Sequence, residues 1–221
     1  MTQQLKRTSY GPHGGGTIQA AVILLHGYGA NKEDLVPLAY TWAPHLPHTV
    51  FISLDAPTLC PGTVVGRQWF SLVDFDLARI WEDMDALTPS LRATLSQIQK
   101  DYNLKESSLS FVGFSQGAAL ALHQALYATN VAGAISYSGF LVPHLNGLAP
   151  QKKPILLLHG DCDTVLPISC LSDSQNLLKK AEVPFESWVC EGLGHGISPF
   201  GLDKGRHFLQ RLLKDSVIKN A

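Results

Sequence analysis

Short, unbroken apolar runs alternate along this chain with longer stretches of helical periodicity, and that alternation leaves few folds open. The runs are Ala21 to Leu25, Val50 to Leu54, Ser110 to Gly113, Gly133 to Tyr137, Ile155 to His159 and Glu186 to Cys190. They are rich in Val, Ile, Leu and Phe, with little polar alternation, as expected of strands covered on both faces. Helical patterns follow most of them, at Lys32 to Trp42, Leu77 to Tyr102, Gln116 to Tyr127, Ser169 to Ala181 and Pro199 to Lys214. Pro89 marks a place where the second of these is expected to break. Strand and helix in alternation predict an α/β chain with a mostly parallel central sheet and helices on both faces.

Length and charge narrow the class further. The 221 residues contain no repeat, low-complexity tract or linker, so 1–221 is expected to be a single domain. Lys plus Arg number 17 against 18 Asp plus Glu, with no basic block. That is not the electrostatic footprint of a nucleic-acid binder, and no nucleic-acid partner is expected. The apolar runs are far shorter than a membrane span needs, and the basic N-terminal residues are followed by no apolar segment of a secretory signal. A soluble, cytoplasmic protein is expected. Cys60, Cys162, Cys170 and Cys190 form no metal or disulfide spacing and read as reduced thiols. Among the histidines, His26 and His159 end apolar runs and read as packed core residues. His45 and His48 flank Pro47 without a carboxylate cluster, so no metal site is expected.

Two irregular stretches, Ala56 to Leu72 and Phe140 to Pro154, are longer than simple connections and follow strand ends, where open α/β sheets place ligands.

The chemistry centres on Gly113-Phe114-Ser115-Gln116-Gly117. A G-x-S-x-G pattern is common enough by chance in a chain with 19 glycines. Here a strand precedes it and an Ala-rich helix follows, which is the setting of a nucleophile elbow. A serine hydroxyl needs a base, and the base needs an orienting carboxylate. Asp161 and Asp163 follow the strand Ile155 to His159, and His195, between Gly194 and Gly196, follows the strand Glu186 to Cys190. All lie beyond C-terminal strand ends, so they can meet at one edge of the sheet. Asp163, which leads directly into the Pro167 helix start, is favoured as the acid, with Asp161 as a turn or capping residue. An oxyanion hole requires two N–H groups. One falls to the backbone of Gln116, directly after the serine, and the other to Tyr28 in the loop His26-Gly27-Tyr28-Gly29.

These residues resemble the small carboxylesterase and acyl-protein thioesterase family, also described as phospholipase/carboxylesterase proteins. The resemblance runs from about Ala20 to Leu213 through LLHGYG at Leu24 to Gly29, WF at Trp69-Phe70 and GFSQGAAL at Gly113 to Leu120. It continues with SG at Ser138-Gly139, HGDCDTVLP at His159 to Pro167 and GLGHGI at Gly192 to Ile197. It implies an α/β-hydrolase fold without a large cap domain, a triad of Ser115, Asp163 and His195, and oxyanion donors at Tyr28 and Gln116. It also implies hydrolysis of small-molecule or lipid acyl esters or thioesters, among them carboxylic esters, lysophospholipids and thioester-linked fatty acyl groups on proteins, with no cofactor. Where the protein-depalmitoylating members carry a leucine and a GDTG-like turn after the first HG, this chain has Tyr28 to Asp34, similar to the bacterial esterase branch. Members of the family often form homodimers, but this sequence displays no clear interface stripe.

Apolar residues near these loops are the candidates for the acyl pocket: Trp69, Phe70, Phe140, Leu141, Val165 and Leu166. Two other readings share the sequence pattern. One is a non-catalytic binding module on the same fold; the other is an amide hydrolase with the same triad.

Overall fold

The computed structural model describes residues 4–144 and 147–218, with side chains through 214. The six expected strands form within one residue at either end: β2 (Ala20–Leu25), β3 (Thr49–Leu54), β6 (Leu109–Phe114), β7 (Ala134–Tyr137), β8 (Ile155–Gly160) and β9 (Phe185–Cys190). A strand that sequence did not suggest, β1 (Arg7–Tyr10), runs antiparallel to β3 and caps one edge. The resulting sheet has seven strands in the order β1-β3-β2-β6-β7-β8-β9 and is otherwise parallel.

Burial on both faces follows from the period of the strand. In β2, Ala21, Ile23 and Leu25 face one apolar layer, while Ala20, Val22 and Leu24 face the other. The first layer is completed by α2 (Leu77–Tyr102), α3 (Gln116–His123) and α4 (Ser169–Lys180), and the second by α1 (Val36–Trp42) and α5 (Pro199–Ile218).

Three expectations need correction. The first helix starts at Val36 rather than Lys32, because the N–H groups before it bond elsewhere. Lys32 N–H donates to Asp55 Oδ1 at 2.8 Å and Glu33 N–H to Asn31 Oδ1 at 2.9 Å. Helix α2 does not break at Pro89. Its buried side chains Ile80 and Met84 before the proline, and Leu91, Leu95 and Ile98 after it, hold one axis despite the missing N–H. Strand β9 is an edge strand whose residues, Trp188 and Val189 among them, are largely exposed. Helix α3 also widens beyond His123 into a π turn over Gln124–Ala128.

The stretch Ala56 to Leu72 is partly ordered as a hairpin of β4 (Thr58–Leu59) and β5 (Arg67–Gln68). The stretch Phe140 to Pro154 crosses residues 145 and 146, which lie outside the described residues. No large cap covers the sheet among the described residues. Nor is any helix among them long and apolar enough to cross a membrane. Of the four cysteines, all free, Cys60 and Cys190 are buried, Cys170 is half-buried and Cys162 is exposed.

Candidate active site

Ser115 sits between β6 and α3 with φ 54° and ψ −116°, a backbone conformation that costs a non-glycine residue energy. The chain tolerates it because the neighbouring turn is locked. Ser115 N–H donates to Tyr137 O at 2.9 Å, and its own carbonyl receives the N–H groups of Ala118 and Ala119. The two flanking glycines are required by close approach. A Cβ on Gly113 would lie 2.2 Å from Gly117 O, and one on Gly117 would lie 2.1 Å from Leu25 O.

The carboxylate and imidazole come from the next two strand ends. Asp163 follows β8, and its side chain is fully buried. Its Oδ1 accepts the N–H groups of Val165 and Leu166, both at 2.9 Å, and its Oδ2 accepts His195 Nδ1–H at 2.7 Å. Burial pushes the carboxyl up, but the hydrogen bonds from His195, Leu166 and Val165 outweigh it, so Asp163 is held below the usual Asp range. His159 backs the same carboxylate, with Nε2 3.4 Å from Asp163 Oδ2 while donating to Leu166 O at 2.8 Å. Asp161 points elsewhere. It accepts Gly192 N–H at 2.7 Å and, with the Cys162 N–H to Leu193 O bond, ties the acid loop to the histidine loop. Of the two aspartates, Asp163 meets His195 and Asp161 braces a turn.

Ser115 and His195 line one cleft of about 350 Å³, together with Gly27, Tyr28 and Gln116. The ring of Phe114 lies 4.9 Å from the His195 imidazole and covers one of its sides. Tyr28 and Gln116, the two residues expected to donate to an oxyanion, both line this cleft.

The apolar candidates divide. Phe140, Val165 and Leu166 line this cleft. Leu141 lines an adjoining groove of about 440 Å³ instead. Trp69 and Phe70 line neither; both are 3% exposed in the larger core. Their polar surroundings explain this. The Trp69 indole N–H donates to His26 O at 2.8 Å, and Trp69 N–H and Phe70 O are both taken by the Gln116 side chain. The cleft is completed by three residues that were not among the expected site residues, Phe114, Leu72 and Phe75. Phe75 falls just beyond the long loop, in a turn where Asp74 and Phe75 both have positive φ, and its ring packs 5.2 Å from Phe140. An aromatic directly after Ala56 to Leu72 was the one available signal.

His26 is a structural histidine. Its Nε2 accepts Ala56 N–H, which leaves Nδ1–H to donate to Gly27 O, and burial lowers its pKa. Among the described residues no group of three His, Cys, Asp or Glu could hold a metal ion.

This chain is similar to several known proteins. It is 30% identical to acyl-protein thioesterase 1 of Saccharomyces cerevisiae, over 87% of this chain and 92% of that one. It is 26% identical to the Escherichia coli esterase YpfH, over 90% and 88%. The crystal structure of esterase PE8 superposes with a TM-score of 0.86 at 30% identity, covering 95% of this chain and all of that one. The fold is that of the α/β-hydrolases. Residues 13–213 match the model of the phospholipase/carboxylesterase family, so the chain belongs to that family of ester-bond hydrolases.

Proposed function

We propose that this chain is a serine carboxylesterase that cleaves acyl esters or thioesters through Ser115, His195 and Asp163. The observation that carries the reading is the 2.7 Å hydrogen bond from His195 Nδ1 to buried Asp163, in the cleft that holds Ser115 at its strained turn. With Nδ1–H committed to the carboxylate, Nε2 carries the lone pair that takes the Ser115 proton as Oγ attacks the acyl carbon. The negative charge on the carbonyl oxygen is received by the N–H groups of Tyr28 and Gln116. Collapse of the tetrahedral intermediate expels the alcohol or thiol, protonated by His195. Water, activated by the same imidazole, then frees the acyl group from Ser115.

The acyl chain lies along Leu72, Phe75, Phe140 and Leu166, an apolar wall open at one side, which suits short-to-medium chains. A protein thioester is the second reading, favoured by the 30% identity to the yeast acyl-protein thioesterase. It uses the same residues with a thiolate as leaving group.

Hydrolysis of p-nitrophenyl esters from acetate to palmitate, by wild type and Ser115→Ala, tests the proposal. The wild type should peak at short-to-medium length. Ser115→Ala should lose on the order of 10⁴-fold or more in kcat while remaining folded. Near-full activity in the variant would end the serine mechanism.

A further inference from the structure

The mechanism above uses only the backbone N–H of Gln116, yet the Gln116 side chain is buried and bonded at both ends. Its Oε1 accepts Trp69 N–H at 2.8 Å and its Nε2 donates to Phe70 O at 2.8 Å. The segment it grips also grips the other arm of the oxyanion hole. The Trp69 indole N–H donates to His26 O at 2.8 Å, Gly29 N–H donates to Arg67 O at 2.9 Å, and Arg67 N–H donates to Ala30 O at 2.9 Å. These bonds bracket Gly27 and Tyr28 on both sides. One short segment, Arg67 to Phe70, is therefore fastened to Gln116 and to the residues on either side of Tyr28, although neither expected oxyanion donor belongs to it.

We infer that Arg67 to Phe70 is a brace that sets the spacing of the oxyanion hole, with Trp69 and the Gln116 side chain as positioning residues. The inference rests on the proposed serine mechanism and on Tyr28 and Gln116 as its backbone donors. Its physical basis is directional. Hydrophobic packing of Trp69 would hold the loop near the nucleophile turn without fixing its register. Five N–H···O bonds made by one four-residue segment fix register to a few tenths of an ångström. Oxyanion stabilisation depends on that register, since the donors act only when aimed at the oxygen's transition-state position. The segment is fixed from outside as well: the Arg67 guanidinium donates to Ala56 O at 2.9 Å and pairs with Asp55 at 3.5 Å. The brace is thus anchored to the end of β3 rather than left as a free loop.

Two variants loosen the brace at opposite ends. Trp69→Phe removes one N–H and keeps a ring, and Gln116→Met removes both side-chain bonds at nearly constant length. Both are assayed with a medium-chain p-nitrophenyl ester for kcat and KM. An aliphatic boronic acid, whose adduct with the serine is a tetrahedral anion, reports on the hole itself. Each variant should lose about 10- to 100-fold in kcat, with KM within about twofold and boronic acid affinity falling in step. The chain-length optimum should stay where it is. The double variant should lose less than the product of the two single losses, because both cut the same brace.

A folded Trp69→Phe with kcat within about twofold of wild type overturns the inference, whatever Gln116→Met does. A loss confined to KM, with a shifted chain-length optimum, also overturns it and makes Trp69 part of the acyl wall. The two proposals fail separately: an active Ser115→Ala ends the serine mechanism, whereas unchanged boronic acid affinity in both brace variants ends the brace alone.

Discussion

The two walls of the cleft are built on opposite principles. On the nucleophile side the wall is backbone: the Ser115 turn, whose Gly113 and Gly117 have no room for a methyl group, and the Gly27–Tyr28 loop, held by hydrogen bonds to Arg67 and Trp69. On the acyl side the wall is side chain. Phe75 is 45% exposed on a turn with two positive-φ residues, and Val165 is 63% exposed. In the proposed mechanism the reacting atoms are held by the part of the fold that cannot move without breaking hydrogen bonds. Chain preference is left to residues whose replacement breaks few. The contrast implies that substitutions on the first wall cost turnover, and that those on the second change which acyl chain is preferred.

The sharpest break of that contrast comes from the acid. Asp163→Asn should lower kcat by about 10³- to 10⁴-fold, because an amide facing Nδ1 favours the wrong imidazole tautomer. Its pH dependence can be read separately. The Asp163 carboxyl is held below its unfolded value, so it stabilises the fold above about pH 4, and that stability is lost as pH falls through the lowered folded pKa. Acid unfolding followed by circular dichroism should therefore be shallower in Asp163→Asn at the low end. An equally steep acid limb would mean that other carboxylates dominate it.

A smaller effect is expected on the acyl wall. The Phe75–Phe140 pair separates the cleft from the adjoining apolar groove, and both rings line both spaces. Phe75→Ala should join them. kcat/KM for long-chain esters should rise by about fivefold to tenfold relative to butyrate, with kcat on butyrate within about threefold of wild type. A uniform fall at every chain length would show that Phe75 supports the site rather than sizes it.

The smallest effect belongs to Asp161. Asp161→Ala removes one hydrogen bond between the acid and histidine loops, at a cost of about 1 kcal/mol in urea unfolding and a few-fold in kcat. A kcat loss approaching that of Asp163→Asn would mean that Asp161 also sets the position of His195.

Much of this protein is determined by local pattern. The central strands were legible because each is a short apolar run with both faces buried, and the order serine, aspartate, histidine was legible because each follows a different strand. The elbow was legible because its two glycines are demanded by contacts within a few residues or with the adjacent strand β2. Tertiary structure decided what depends on distant partners. Trp69 and Phe70 read as pocket wall until His26 and Gln116, more than 40 residues away, claim their polar atoms and draw them into the core. Phe75 becomes the wall instead, because a left-handed turn brings its ring against Phe140 across the cleft. Strand β1 has too little apolar character to announce itself and exists only through its pairing with β3. Periodicity reports whether a residue is apolar and on which face it falls. Whether that face meets core, cleft or solvent is set by chain segments that local sequence cannot see.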